Sequence, residues 1–329
     1  MSAQIQLVEL GRTSVPLPNI SPNRADSQPP RGDTITASTV EARLRTIPFE
    51  EMEAVFDGSE GILFAYFNFV GRPSFTQAIL RDIARVQDMV RTLFAAGGGT
   101  APVKYIVWDS RMPGVWNLGG DLDLFATLIR RRDRESLMRY ARVVVEEGYS
   151  NATNLNLPLI TVALVRGDAL GGGFEATLSS NLIVAERSAK FGLPEILFNL
   201  FPGMGAYSYL VRRIAPAQAE RMITSGRIYT AQELFELGVV DVLADDGHGT
   251  EALYEFIGRN GRRHAAHRAI YRARDRVNPL KIDELMDIAV TWVETALDLS
   301  EADLRKMSRL VVAQDRRRGR TAAEQQETG

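Results

Sequence analysis

The chain has 329 residues, of which 45% are hydrophobic and 24% are charged, so it carries enough apolar side chains to bury a sizeable core. Its formal net charge of -2 provides no overall field that would attract nucleic acid or an anionic membrane. The chain contains no cysteine, which excludes disulfides, a thiol nucleophile and thiolate metal ligands.

The sequence shows no sign of membrane insertion or export. No apolar stretch approaches the ~20 residues that a membrane-spanning helix needs. The opening residues lack the basic and apolar regions of a secretion signal, so we expect a cytoplasmic enzyme without membrane contact. The length fits either two domains or one α/β domain with long peripheral helices, and composition does not choose between them.

The N-terminal region is rich in proline. Five of the 14 prolines fall within residues 11–38, among small and polar residues. Such a segment has too few large apolar side chains to form a core. We therefore predict a mobile arm over residues 1–48, a core over residues 49–248, and a C-terminal helical region with a polar tail over residues 249–329.

Strand and helix patterns alternate along the predicted core. Short apolar runs predict strands, and apolar residues spaced by three and four predict helices. In chain order, strands are predicted over residues 61–70, 103–110, 157–167 and 181–186, with helices over 75–97 and 124–148 and a further helix beginning at 171–173. Beyond Phe201 the pattern is helical, with a capping box at Thr230 and Glu233. The alternation predicts an α/β fold.

Three consecutive glycines, Gly171 to Gly173, separate a predicted buried strand from a helix. Glycine lets the backbone turn sharply and lets a ligand approach the main chain. The first N–H groups of a helix have no intrahelical partner, so this turn can hold an oxyanion. A tight packing turn between strand and helix explains the same three glycines equally well.

A second glycine pair, Gly119 and Gly120, follows another predicted strand and precedes a helix. Two N–H groups from two separate turns are what a two-donor oxyanion hole requires. Neither turn has the spacing of a dinucleotide-binding or phosphate-binding loop, so nucleotide binding is the weaker interpretation.

Two glutamates follow in the same part of the chain. Glu175 falls in the first turn of the helix that the glycines open, and Glu195 lies between apolar neighbours in FGLPEILF. Desolvation would raise the pKa of such a carboxyl toward the range useful for acid and base catalysis. If both face one pocket, their repulsion favours a shared proton. Most lone glutamates are exposed charges at helix ends, but the neighbouring glycines favour the catalytic interpretation here.

The stretch VALVRGDALGGGFEATLSSNLIVAERSAKFGLPEILFNLFPGMGA resembles the core signature of the enoyl-CoA hydratase/isomerase (crotonase) superfamily. The resemblance spans about residues 55–245 and implies a crotonase-like spiral of ββα units with C-terminal helices. By position, it implies catalytic glutamates at Glu175 and Glu195 and oxyanion-hole amides at Gly120 and Gly172. It also implies a substrate pocket lined by Leu118, Gly119, Leu170, Gly171, Met204 and Gly205.

Other stretches, including WDSRMPGVWNLGGDLDLF and RVNPLKIDELMDIAVTWVETAL, resemble the diffusible signal factor synthases within that superfamily. This resemblance implies dehydration of a 3-hydroxyacyl-acyl carrier protein to the cis-2-enoyl thioester. It further implies thioester hydrolysis, which releases a cis-2-unsaturated fatty acid for quorum sensing. The bulky Met204, Tyr207 and Tyr209, where ordinary hydratases have small residues, support it.

The resemblance also implies partners. We expect acyl carrier protein as the donor, a homo-oligomer that is a trimer or hexamer, and a regulatory sensor protein, with no nucleic acid. Because acyl carrier proteins are acidic, the candidate contacts are arginines, namely Arg130 to Arg132, Arg212, Arg213, Arg262 and Arg263. An ordinary hydratase or isomerase acting on CoA thioesters and a non-catalytic binding subunit are the rival interpretations.

We expect no metal or other cofactor. His264 and His267 are three residues apart on a predicted helix, but no third ligand is apparent and their neighbours are basic. They are therefore interpreted as surface histidines. The chain has no Gly-x-Ser-x-Gly motif, which disfavours a serine hydrolase.

Overall fold

A computed structural model describes residues 32–310 and residue 312 of the chain. Its strands are β1 (Met52–Asp57), β2 (Ile62–Phe67), β3 (Tyr105–Ser110), β4 (Gly114–Asn117), β5 (Ile160–Val165), β6 (Gly167–Leu170), β7 (Leu182–Glu186), β8 (Lys190–Gly192), β9 (Ile228–Thr230) and β10 (Val242–Ala244).

The helices lie between these strands and continue after them. They are α1 (Ala37–Leu44), α2 (Gln77–Ala96), α3 (Leu122–Arg130), α4 (Arg134–Ala152), α5 (Gly172–Leu178), α6 (Ala206–Leu210), α7 (Pro216–Ser225), α8 (Ala231–Glu236), α9 (Gly249–Asn260), α10 (His264–Val277) and α11 (Ile282–Leu297). Short 3₁₀ turns occur at Asn154–Asn156, Pro194–Phe198 and Gly261–Arg263, and residues 301–310 are also helical.

The strands form two sheets. The larger has the order β1-β2-β3-β5-β7-β10, in which only the β1–β2 pair is antiparallel. The smaller has the order β4-β6-β8-β9, with β9 antiparallel to its neighbour. Because parallel strands are covered on both faces, their sequences are nearly continuous apolar runs. In β2, Leu63 belongs to one hydrophobic cluster and Ile62 to another, which also contains residues of α9.

A repeated strand-strand-helix unit positions the two glycine turns next to each other. A strand of the larger sheet is followed at once by a short strand of the smaller sheet and then by a helix, as in β3-β4-α3 and β5-β6-α5. Since β4 and β6 are parallel neighbours, their carboxyl ends lie side by side. The turns after them are therefore brought together although they are about 50 residues apart in sequence.

The predicted strands are confirmed, whereas one predicted helix is divided in two and several strands were not predicted. The four strands predicted from apolar runs correspond to β2, β3, β5 and β7, and the Thr230–Glu233 capping box begins α8. The sequence did not indicate β1, the short strands β4, β6 and β8, or the strands β9 and β10 within the region predicted to be helical. The helix predicted over residues 124–148 is two helices, α3 and α4. Strands of three or four residues are too short to show a periodicity of their own.

The predicted mobile arm differs from the structure in its last part. Residues 1–31 lie outside the described residues, as does the predicted tail from residue 313 onward. Within the arm, however, α1 is folded: the Thr36 side chain accepts a hydrogen bond from the N–H of Thr39, and Val40 and Leu44 are buried. This helix was assigned to the arm because it follows directly after the proline-rich segment and its apolar stripe is short.

Within residues 32–310, no helix is both long enough and apolar enough to cross a membrane.

Candidate active site

Two glycine turns face each other at the carboxyl ends of β4 and β6. A methyl group added to Gly172 would lie 3.4 Å from the backbone nitrogen of Gly120. A methyl group added to Gly119 would lie only 2.9 Å from the nitrogen of Gly172. The close approach of the two turns therefore depends on the absence of a side chain at Gly119.

In each turn one glycine N–H has a partner within the protein and the next one is free. The N–H of Gly119 donates to Asn117 Oδ1 at 2.7 Å, and that of Gly171 donates to the carbonyl of Gly192 at 2.8 Å. The N–H groups of Gly120 and Gly172 donate no hydrogen bond to any residue that the structure describes. These are the two donors that the resemblance assigned to an oxyanion hole, and the fold places them on adjacent turns.

Glu175 lies in the first turn of α5 and is buried. Its Oε1 accepts hydrogen bonds from the N–H groups of Met204 at 2.8 Å and Ala206 at 3.0 Å. These N–H groups belong to the segment that leads into α6. The two bonds orient the carboxyl group and stabilise its ionised form.

Glu195 lies in the 3₁₀ turn that follows β8. Its Oε2 is buried and has no hydrogen-bond partner among residues 32–310. A buried carboxyl oxygen without a partner favours the protonated, neutral form of the group. Glu195 is thus poised to donate or accept a proton.

Glycine at position 171 makes room for this carboxyl. Gly171 has φ of +53°, and a methyl group there would lie 2.7 Å from Glu195 Oε1. Both the backbone conformation and the space therefore favour glycine. The three consecutive glycines thus form the turn, and Gly171 also leaves space for the Glu195 carboxyl.

Burial shifts both carboxyls toward neutral pH. Burial raises the pKa of Glu175 to about 7, against the lowering effect of its hydrogen bonds from backbone N–H groups. Burial, with the negative charge of Glu175, raises the pKa of Glu195 to about 8. Because the two carboxyls repel each other when both are ionised, the pair is expected to retain one proton near neutral pH.

This proton should make folding stability depend on pH. The ordinary pKa of a glutamate is near 4.5, so between about pH 4.5 and 8 these two carboxyls bind more protons in the folded protein than in the unfolded chain. The free energy of unfolding should therefore fall as pH rises through that window. In Glu195→Gln the fall should be shallower, as measured by urea unfolding at several pH values. Equal slopes in both proteins would contradict the raised pKa of Glu195.

The two glutamates and the two free N–H groups line one cavity. This carboxylate cavity is lined by Gly120, Gly172, Glu175, Glu195, Met204 and Trp292, among others. A second, aromatic cavity adjoins it and is lined by Phe67, Trp108, Trp116, Glu147, Tyr209 and other residues. Gly172, Glu175 and Met204 line both cavities, so the second cavity begins where the reacting groups of the first are located.

The predicted pocket residues fall into two groups. Met204 lines both cavities, whereas Gly119, Gly171 and Gly205 line neither, and Gly205 is the N-cap of α6 with φ of +129°. Leu118 and Leu170 instead pack with Val115 in a small apolar cluster and line neither of the two cavities.

Several cavity residues were not singled out from the sequence. Trp292 comes from α11, more than 90 residues after Glu195, and Glu147 comes from α4. Trp292 appeared only within an apolar stripe, which is the ordinary signal of helix packing. No local pattern marked either residue as part of a site.

The predicted arginine contacts are corrected in part. Arg212 makes an ion pair with Glu284, and Arg213 binds the carbonyl of Ser180 and pairs with Asp241. Both side chains are largely buried, so they serve the fold, and neither is an exposed docking contact. Arg130 to Arg132, Arg262 and Arg263 are exposed.

The sequence of this chain is similar to those of several known proteins. The family model for enoyl-CoA hydratase/isomerase matches residues 84–254. The mitochondrial methylglutaconyl-CoA hydratase of Rattus norvegicus is 28% identical over 184 residues, which are 56% of this chain and 54% of that protein. The fatty acid oxidation complex subunit alpha of Idiomarina loihiensis is 34% identical over 41% of this chain and 18% of that protein. The chain thus spans about half or less of these curated relatives.

Solved structures show the same fold. Pseudomonas aeruginosa DspI has a TM-score of 0.60 and 21% identity, covering 71% of this chain and 90% of that one. The enoyl-CoA hydratase of Bacillus halodurans has a TM-score of 0.63 and 18% identity, covering 79% and 99%. At these identities the likeness concerns the fold, and the predicted α/β crotonase-like class is confirmed.

Proposed function

Because the chain belongs to the enoyl-CoA hydratase/isomerase family, we propose that it catalyses proton transfer and elimination or addition of water on an acyl thioester. One observation carries this proposal. Glu175 and Glu195, two carboxyls with pKa values raised toward neutrality, line the same cavity as the two free glycine N–H groups. The arrangement provides an acid, a base and an oxyanion hole.

The proposed chemistry follows from these groups. The thioester carbonyl oxygen accepts hydrogen bonds from Gly120 and Gly172, which stabilises the enolate formed when a proton leaves C2. The ionised glutamate takes that proton, and the protonated glutamate donates its proton to the 3-hydroxyl as the C3–O bond breaks. The products are water and the 2-enoyl thioester, and the pair again holds one proton.

We further propose that the substrate is a 3-hydroxyacyl chain on acyl carrier protein and that the chain acts as a diffusible signal factor synthase. Elimination would give the cis-2-enoyl thioester. A water molecule activated by one carboxylate would then attack the thioester carbonyl and release the cis-2-unsaturated acid and the carrier thiol, with the same N–H groups holding the oxyanion. The sequence resemblance supports this proposal, as does the aromatic cavity, which is suited to an acyl chain.

The second candidate is a hydratase that acts on CoA thioesters. The names of the similar proteins, which include CoA hydratases and a subunit of a fatty acid oxidation complex, favour it. The two candidates use the same glutamates and the same oxyanion hole. They differ in the group that carries the acyl chain, acyl carrier protein or CoA, and in the product, a free acid or an enoyl thioester.

The products separate the two candidates. Purified protein is incubated with matched 3-hydroxyacyl thioesters of acyl carrier protein and CoA, and the products are identified by mass spectrometry. Release of a free cis-2-unsaturated acid from the carrier thioester supports the synthase. A trans-2-enoyl thioester in reversible equilibrium with the 3-hydroxyacyl form, without hydrolysis, would support the hydratase. No reaction with any thioester would contradict the acyl thioester proposal itself.

The carrier protein and the assembly are proposed on separate grounds. Exposed Arg130 to Arg132, Arg262 and Arg263 are the candidate contacts for an acidic carrier, and turnover of the carrier thioester should then fall as salt exceeds ~0.15 M.

No residue of α10 is buried, and Ile270 and Val277 are exposed on it, which supports its packing on a neighbouring subunit of a trimer or hexamer. The regulatory sensor protein is proposed only on the sequence resemblance to the diffusible signal factor synthases.

A further inference from the structure

The aromatic cavity has apolar walls with few polar groups, and most of those groups are paired. The Asn151 side chain accepts a hydrogen bond from Trp108 Nε1 and donates to Ser179 Oγ. The Gln87 amide donates to the main-chain carbonyl of Glu147 and accepts from Arg91. These side chains therefore have partners within the protein and need none from a ligand.

Tyr209 is an exception whose polar atom is fully buried. Its side chain lines the cavity and the residue is only 4% exposed, yet its hydroxyl is buried and has no hydrogen-bond partner within residues 32–310. Buried polar groups in folded proteins are nearly always paired, so an unpaired hydroxyl on a residue that lines a cavity indicates that its partner enters the cavity from outside.

Two glycines hold the tyrosine ring in place. A methyl group on Gly205 would lie 2.3 Å from Cε2 of the ring, and one on Gly148 would lie 3.0 Å from the hydroxyl oxygen. The ring thus fits between α4 and the start of α6, because the residues that it contacts there, Gly148 and Gly205, have no side chain. The hydroxyl oxygen therefore lies against Gly148, which lines the same cavity.

A second hydrogen-bonding group lines the same cavity. Glu147 precedes Gly148 on α4, and its carboxyl oxygens make no hydrogen bond with any residue that the structure describes. Burial raises the pKa of Glu147 to about 7, so near neutral pH this carboxyl can donate as well as accept. A plain alkyl chain would leave the buried Tyr209 hydroxyl without a partner.

We propose that the aromatic cavity binds an acyl chain carrying a hydroxyl group beyond the reacting carbons, and that Tyr209 is the residue that recognises this group. The inference rests on the proposed acyl thioester function and names its substrate class. Tyr209 does not line the carboxylate cavity, so the recognised hydroxyl is distinct from the 3-hydroxyl that the glutamates would act on. A site that must pair a buried group discriminates against the ligand lacking that partner.

The test compares substrates that differ only in one hydroxyl. The wild type and Tyr209→Phe are assayed with 3-hydroxyacyl thioesters of one chain length, either unsubstituted or bearing one additional hydroxyl at successive positions. For the wild type, kcat/KM should be about 10- to 100-fold higher for the best hydroxylated chain than for the plain chain. In Tyr209→Phe this preference should disappear, mainly through KM, because only binding outside the reacting carbons is lost.

The control separates this inference from the function on which it rests. Tyr209→Phe keeps the ring and removes an unpaired hydroxyl, so its thermal unfolding temperature should equal or exceed that of the wild type. Activity on the plain chain with no preference in either protein would overturn the inference, because the hydroxyl would then serve only to bind cavity water. Absence of activity on every thioester would instead overturn the proposed function. Glu147→Gln, which still donates and accepts hydrogen bonds, should retain the preference.

Discussion

Replacing Glu175 or Glu195 by glutamine should lower the rate of thioester dehydration by about 10²- to 10⁴-fold while the protein remains folded. Glutamine has nearly the same shape as glutamate but cannot take up or release a proton near neutral pH. In Glu175→Gln the amide oxygen can still accept the N–H groups of Met204 and Ala206. The loss should therefore appear in the chemical step, measured as kcat with saturating substrate.

A matched control is available in Glu186. This glutamate is also buried and accepts a hydrogen bond from the N–H of Gly249, but it lines neither the carboxylate cavity nor the aromatic cavity. Glu186→Gln should keep nearly full turnover. The double variant of Glu175 and Glu195 should lose little more than the worse single variant, because the two groups act as a unit. Near-normal dehydration in either single variant would contradict the two-glutamate mechanism.

Replacing Gly172 by proline should lower turnover by about 10²- to 10³-fold, because proline has no N–H to donate to the oxyanion. Gly172 is the first residue of α5, a position where helices accept proline readily. The loss is therefore expected in catalysis rather than in folding, and circular dichroism with thermal unfolding checks the fold.

Gly172→Ala is the matched control for this prediction. Its methyl group would lie 3.4 Å from the backbone atoms of the facing turn, an ordinary contact distance, and its N–H is retained. Turnover of the alanine variant should stay within about 10-fold of the wild type, which is well above that of the proline variant. If the alanine and proline variants were equally impaired, the space at Gly172 rather than its N–H would be the important property.

The sequence by itself determined those features that depend on neighbours along the chain. The apolar runs of β2, β3, β5 and β7 appear in one continuous stretch each, because a strand covered on both faces needs no polar alternation. The Thr230–Glu233 capping box is likewise local, since the two residues hydrogen-bond each other. The motif that contains Glu175 and Glu195 was sufficient to indicate the family.

Only the tertiary structure decided what depends on distant residues. The free N–H groups of Gly120 and Gly172 meet because β4 and β6 are neighbours, and strands of four residues give too little pattern to predict that pairing. The raised pKa values of Glu175 and Glu195 arise from burial by many separate elements, so no local motif could supply them. The unpaired hydroxyl of Tyr209 is of the same kind, because a missing partner becomes visible only when every surrounding residue has its position.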